Sequence, residues 1–304
     1  MNKFKVRQSL LLLLTAGIWG VAFVAQSVSM EHIGPFTFNA VRNMLGAVVL
    51  LPCILLRNKC SGKQKWDEGL KIKQNPRELL ISGIICGVIL FVASNLQQIG
   101  IQYTSVAKAG FITAMYIVLV PTLGIFLRKK VGAKIWVSVC IAVVGLYLLC
   151  MTDRHFSLQK GDVLVLLCAF VFALHILVID YFAPRVDGVK MSCIQFLVCS
   201  VLSGICMVLF ETPQVSQLVA AWLPIMYAGA MSCGVAYTLQ IVGQKGMDPT
   251  VASLILSLES VVSVIAGWII LHQRLSVREL AGCAFMFTAI VLVQLPSPMS
   301  QKSL

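Results

Sequence analysis

Apolar residues are arranged along this chain in ten long runs that are separated by short polar turns. Each run has about the length, roughly 20 residues, that a helix needs to cross the hydrocarbon core of a bilayer. Because no water is available there to satisfy backbone N–H and C=O groups, each run is predicted to be helical. The runs cover residues 8–29, 36–56, 79–101, 106–127, 133–151, 162–182, 190–210, 218–241, 250–271 and 278–295.

The composition is typical of a membrane protein. Of the 304 residues, 59% are hydrophobic and 12% are charged, whereas a soluble domain has about 25% charged residues. A net charge of +12 can indicate a nucleic-acid-binding protein, but here the basic residues lie in the turns between apolar runs. We therefore expect the lipid bilayer as a partner and no nucleic acid. The Lys-rich stretch 57–78 is predicted to be a cytoplasmic loop.

The Lys and Arg residues also predict the orientation. With the N-terminus inside and ten alternating spans, 18 of the 24 basic residues fall in cytoplasmic segments, five fall outside, and Arg42 lies within a span. Cytoplasmic loops of membrane proteins carry an excess of Lys and Arg. The bias therefore predicts a multi-pass protein of the plasma or inner membrane with both termini in the cytoplasm.

The two halves of the chain, 1–151 and 152–304, resemble each other in turn spacing as well as in hydropathy. Since each half has an odd number of spans, the halves must have opposite orientations. We therefore predict an all-α membrane protein whose ten transmembrane helices form two inverted five-helix repeats, an arrangement common in transporters. Corresponding residues are Trp19-Gly20 and Phe172-Ala173, Asn95 and Gln240, Ala107 and Ala252, and Gly145 and Gly282.

Several short motifs occur in a fixed order along the chain. They are Gly17-Ile18-Trp19-Gly20, Pro35 with Arg42, Ala252-Ser253-Leu254 with Leu258-Glu259-Ser260, the turn at 271–276, and Gly282. Over residues 8–295 this set resembles the drug/metabolite transporter superfamily, in particular its EamA-type ten-helix permeases. The resemblance implies two EamA repeats, alternating access around a central cavity, and export of amino acids, metabolites or drugs. The family's usual turn Glu is replaced by Lys129 and Gln273. If that Glu closes a gate of the transporter by an ion pair, the gate must close differently in this protein.

Two charged residues lie deep within the predicted spans. Arg42 lies roughly 10 Å from the outer end of its span, and Glu259 is the only acid in the middle of any span. Charge within a membrane is unfavourable, by about 2.5–3.5 kcal/mol for Arg, so such residues face the interior of the bundle. Arg42 either binds a substrate carboxylate or holds neighbouring helices together. Glu259 binds an ammonium group, carries a proton or neutralises Arg42.

The other candidate site residues are uncharged or weakly basic. His175 is either a proton relay or a partner in a helix–helix hydrogen bond, and Trp19 either lines the cavity or packs against neighbouring helices. For every polar or aromatic candidate, bonding between helices is the alternative to a place in the cavity lining. These candidates are Asn39, Asn43, Asn95, Gln97, Gln98, Tyr116, Gln195, Tyr237 and Gln240.

A secondary transporter of a small metabolite is the leading functional hypothesis, because one Arg and one Glu suit a zwitterion such as an amino acid. The chain has no GxxxxGK[ST] motif and therefore no ATPase of its own. It also lacks HExxH and a Gly-x-Ser-Gly nucleophile, so an intramembrane enzyme is disfavoured. With no Cys/His cluster at ligand spacing, we expect neither a metal nor a cofactor. A flippase for a lipid-linked intermediate stays an alternative, and the oligomeric state is open.

Overall fold

The computed structural model describes residues 3–60, 75–104, 106–128, 131–150, 159–270 and 276–295. All secondary structure in these ranges is helical. The predicted turn residues Lys129 and Gln273 lie outside them, as does most of the predicted loop 57–78. The predicted loop is shortened at both of its ends, since one helix continues to Cys60 and the next begins at Pro76.

Ten helical segments follow the ten predicted runs. Among the described helices, eight are long and apolar enough to cross a membrane, and α5 contains a shorter apolar stretch, Ala133–Leu148. The predicted all-α, multi-pass fold is confirmed. The segments are α1 Lys3–Ser29, α2 Pro35–Cys60, α3 Pro76–Ile101, α4 Val106–Ala114 with Tyr116–Phe126, α5 Ala133–Cys150, α6 Lys160–Phe182, α7 Gly188–Phe210, α8 Trp222–Gln244, α9 Pro249–Leu256 with Glu259–Ile270, and α10 Val277–Gln294.

Polar side chains determine where several helices begin. Asp248 accepts hydrogen bonds from the backbone N–H groups of the first turn of α9, and Pro249 occupies the first helical position. A capping box between Ser276 and Glu279 begins α10. Such caps satisfy the N–H groups that have no partner within the helix.

Both α4 and α9 are interrupted near their middle. The break in α4 lies at Met115, and the break in α9 lies at Ser257 and Leu258. Pro121 lies within the second helical piece of α4 rather than at the break. At the α9 break, Ser257 Oγ donates to Leu254 O over 2.8 Å, a local bond that competes with the helical ladder. Irregular backbone at membrane depth is tolerated where it is buried in protein or lines a cavity.

The contacts between helices follow the same pattern in the two halves, when α1 to α5 are taken to correspond to α6 to α10 in order. The α3–α6 pair matches α8–α1, and the α4–α6 pair matches α9–α1, while α2–α7 and α5–α10 are their own counterparts. Glycines allow close approach at two of these crossings. A Cβ on Gly145 would lie 3.0 Å from Gly282 O, and a Cβ on Gly161 would lie 2.6 Å from Gly100 O. The packing therefore has the two-fold character of a repeated five-helix unit.

Candidate functional site

A narrow cavity lies between the two halves and is lined by residues of α1, α2, α3, α4, α6, α8 and α9. It contains about 510 Å³ of empty space, part of which is open to the surroundings, and the centre of a water-sized molecule reaches about 40 Å³ of it. That is room for roughly three waters, so a larger solute fits only if the helices move apart. The lining consists of Trp19, Phe23, Gln26, Arg42, Gln97, Thr113, Tyr116, Phe172, Ile176, Ser232, Tyr237, Gln240, Leu256 and Glu259.

Seven of the thirteen candidate site residues lie in this lining. They come from six different helices, and only the folded bundle brings them together. Their placement is a geometric finding, and their roles stay predictions. The seven are Trp19, Arg42, Gln97, Tyr116, Tyr237, Gln240 and Glu259.

Glu259 is placed in the cavity by the break in α9. It is the first residue of the second helical piece, where the positive end of the helix dipole favours a carboxylate. Its side chain is 5% exposed, and its Oε1 accepts a hydrogen bond from the Tyr116 hydroxyl over 3.0 Å. Tyr116 is in turn the first residue after the break in α4.

Arg42 reaches the cavity from α2 and is 3% exposed. Its Cζ lies 4.9 Å from the centroid of the Phe38 ring, a favourable cation–π distance. Its Nε has no hydrogen-bond partner. Across the described ranges, Arg42 and Glu259 form no ion pair within 4.0 Å. A buried charge without a partner is unfavourable, so the guanidinium is available to an anionic group of a ligand.

Aromatic rings form one wall of the cavity. Trp19 and Tyr237 meet edge to face with ring centroids 4.6 Å apart, and the indole Nε1 of Trp19 has no hydrogen-bond partner. A Cβ on the neighbouring Gly20 would lie 2.7 Å from Glu259 O. Only glycine therefore permits α1 to approach the break in α9 so closely.

The middle of α8, Tyr227–Tyr237, is a π-helix. Extended π-helix is rare and occurs often at functional sites. Here it presents Ser232 and Tyr237 to the cavity. Gly229 lies against α2, where an added Cβ would be 2.6 Å from Leu45 Cβ. The π-helical segment thus combines close packing on α2 with polar and aromatic lining.

Amide side chains supply further polar groups. The Oε1 atoms of Gln26 and Gln240 are buried without a hydrogen-bond partner. Gln97 Nε2 donates to Thr113 Oγ1 over 3.2 Å, which joins α3 to α4. Unpartnered buried acceptors are unfavourable, so these amides can accept hydrogen bonds from a bound solute or from water.

Six candidates are not among the lining residues of this cavity, and their side chains form hydrogen bonds within the bundle. Asn39 Nδ2 donates to Asn95 Oδ1 over 2.9 Å, and Asn95 Nδ2 donates to Ser203 Oγ over 3.1 Å. Asn43 Nδ2 donates to the backbone oxygen of Asn39 over 2.7 Å. The Asn39–Asn95 and Asn95–Ser203 bonds join α2, α3 and α7, whereas the Asn43 bond lies within α2.

The other three of these six are also engaged in bonds between helices. Gln98 Nε2 donates to Gln26 O over 3.2 Å. His175 Nε2 and Gln195 Oε1 lie 3.2 Å apart, and the fully buried His175 ring meets Tyr237 edge to face with centroids 6.2 Å apart. His175 therefore lies one residue layer away from the cavity.

Sequence reasoning missed Phe23, Gln26, Thr113, Phe172, Ile176, Ser232 and Leu256 as lining residues. Helical spacing could have found some of them. Residues 23 and 26 share a face of α1 with Trp19, and Phe172 and Ile176 occupy the corresponding positions of the second repeat. No spacing rule could have found Ser232, because a π-helix changes the angular position of every side chain after its start.

The chain matches the EamA-like transporter family twice, over residues 7–151 and over residues 159–295. It belongs to this family. An uncharacterized transporter of Archaeoglobus fulgidus is 28% identical over 93% of this chain and 84% of its own length. The uncharacterized transporter YvbV of Bacillus subtilis is 26% identical over 96% of this chain and 93% of its own. The resemblance seen in the motifs is confirmed, and this EamA-like protein is a multi-pass membrane transporter.

A similar fold is known from a crystal structure. One solved chain superposes with a TM-score of 0.77 at 19% identity, covering 94% of this chain and 96% of that chain. At this identity the likeness concerns the fold alone.

Proposed function

We propose that this protein is a secondary transporter that exports a small zwitterionic metabolite, such as an amino acid, by alternating access, and that it is not an enzyme. One observation carries the proposal. Arg42 and Glu259 are both buried, line the same cavity and do not pair with each other. Two opposite charges held apart are complementary to one solute that carries both.

The chemistry of the two groups assigns the ends of the solute. The Arg42 guanidinium binds a carboxylate by charge-assisted hydrogen bonds, and the Glu259 carboxyl accepts hydrogen bonds from an ammonium group. The rings of Trp19 and Tyr237 then contact the apolar part of the solute. Since the present cavity is too small for an amino acid, the helices must separate to load it, as alternating access requires.

The proposed orientation follows from the excess of basic residues in cytoplasmic segments. With both termini in the cytoplasm of the plasma or inner membrane, α1 and α3 end at the outer face. Gln26 and Gln97 lie within one turn or so of those ends and line the cavity. In this orientation the cavity extends from the middle of the bundle toward the outer face.

The test is transport by the purified protein in proteoliposomes. We expect native protein to transport at least one member of a radiolabelled L-amino-acid mixture, and Arg42→Gln and Glu259→Gln each to abolish that transport. A matched control is Arg185→Gln, which removes an exposed charge that lies 3.9 Å from Glu78 at the surface. If both cavity variants transport as native protein does, the two charges are structural and the proposal is wrong.

A further inference from the structure

The two helix breaks are joined directly by one hydrogen bond. The Tyr116 hydroxyl donates to Glu259 Oε1 over 3.0 Å. Each residue is the first of the helical piece that follows its break. A second bond links the same two helices, where Ser260 Oγ donates to Gly110 O over 3.4 Å. The broken helices of the first and second halves are therefore linked beside the α9 break, and the Tyr116–Glu259 bond joins the two breaks themselves.

This bond involves the same carboxyl group that binds the ammonium in the proposed function. Both side chains are at least 95% buried, and both line the cavity. A solute ammonium that approaches Glu259 must share the carboxyl with the Tyr116 hydroxyl or displace it. Occupancy of the site and the link between the two breaks are therefore in competition.

We propose that Tyr116 couples loading of the site to movement of the two halves, an inference that rests on the proposed function. In the empty protein its hydroxyl holds Glu259 and keeps the two breaks together. When an ammonium group binds Glu259, the hydroxyl is released and the halves are free to move as the loaded form does. Tyr116 thus restrains the empty form, which slows its return across the membrane, and competes with the solute for Glu259.

The expected signature is a split between two kinds of transport. Exchange of labelled for unlabelled amino acid uses only loaded forms, whereas net efflux also requires the empty form to return. Tyr116→Phe removes only the hydroxyl. We expect net efflux to rise roughly tenfold, the effect of losing one hydrogen bond to a charged group, while exchange is kept and its KM falls because the competitor is gone.

The control is Tyr227→Phe, which removes a hydroxyl that donates to Ile18 O over 3.1 Å and does not line the cavity. It should leave the ratio of exchange to net efflux at the native value. If Tyr116→Phe lowers both rates together, or changes neither, Tyr116 is a structural residue and the inference is overturned. The role of Tyr116 is judged from Tyr116→Phe alone, whereas the proposed function is judged from transport by the Arg42→Gln and Glu259→Gln variants. Failure of one can therefore be told from failure of the other.

A measurement without any solute tests the bond itself. Thermal unfolding of the purified native protein, Tyr116→Phe, Glu259→Leu and the double variant forms a double-mutant cycle. We expect the losses in Tm not to add, because either single change removes the same bond. Additive losses mean that the two side chains do not interact, which overturns the inference even if amino-acid transport is observed.

Discussion

Arg42 of α2 and Glu259 of α9 line one cavity, yet in the described structure no Arg42 nitrogen lies within 4.0 Å of a Glu259 oxygen. Glu259 is held by Tyr116, and Arg42 is held by the ring of Phe38. Each charge therefore has a neighbour that fixes its position, and neither charge is paired with the other.

Removal of the Arg42 charge is expected to separate function from stability. Arg42→Gln should abolish amino-acid transport but leave Tm unchanged or higher, because a buried charge without an ion pair is unfavourable for folding. Transport in proteoliposomes and thermal unfolding of the same preparation measure both effects. Arg42→Lys keeps the charge and should retain part of the transport. A large fall in Tm in Arg42→Gln would show that the guanidinium holds helices together instead.

Because α1 closely approaches the α9 break, a single methyl group added to α1 at Gly20 is expected to lower stability and transport. Gly20→Ala places a Cβ about 2.7 Å from Glu259 O and 2.5 Å from Val262 Cβ, so it should destabilise the protein by about 1–3 kcal/mol and reduce transport. Gly17→Ala, one turn away on α1, meets nothing within 4 Å and should change neither property. Thermal unfolding of the two variants side by side tests the contrast. Equal stabilities would contradict the packing.

The carboxylate of Glu211 caps α2 from the end of α7. It accepts hydrogen bonds from Phe36 N at 2.9 Å, Thr37 N at 2.8 Å and Thr37 Oγ1 at 2.6 Å. Loss of a helix cap and of a charged hydrogen bond each has an effect of about 1–2 kcal/mol. Glu211→Ala should therefore lower the free energy of unfolding by about 2 kcal/mol or more, and Glu31→Ala, at an exposed neighbouring acid, should not.

Asn95 and Gln240 correspond in the two repeats but differ in the fold. Asn95→Leu removes bonds to Asn39 and Ser203 and should lower stability by about 1–2 kcal/mol, while the KM for the solute stays at the native value. Gln240→Leu should raise KM without loss of stability, because its Oε1 has no protein partner. Measuring KM and Tm for both variants tests this opposition. A raised KM in Asn95→Leu would place that side chain at the site after all.

The sequence by itself determined the fold class, because the length and apolarity of ten runs leave a bilayer-spanning helix as the only way to satisfy their backbone groups. It also singled out Arg42 and Glu259 as candidates, since charge at membrane depth is unfavourable unless it has a partner or a function. The motifs around Trp19 and Glu259 were enough to indicate the family. All of these are local properties that can be counted along the chain.

Only the tertiary structure decided which polar residues share the cavity. Asn95 and Gln240 look alike in sequence, but Asn95 bonds to two neighbouring helices and Gln240 does not. The Glu211 cap was invisible because its partners lie 174 and 175 residues away. The Tyr116–Glu259 bond depends on two helix breaks that meet at one point. Side-chain pairing across helices depends on their relative rotation and distance, and these are set by packing contacts throughout the bundle rather than by the spacing of residues within any one span.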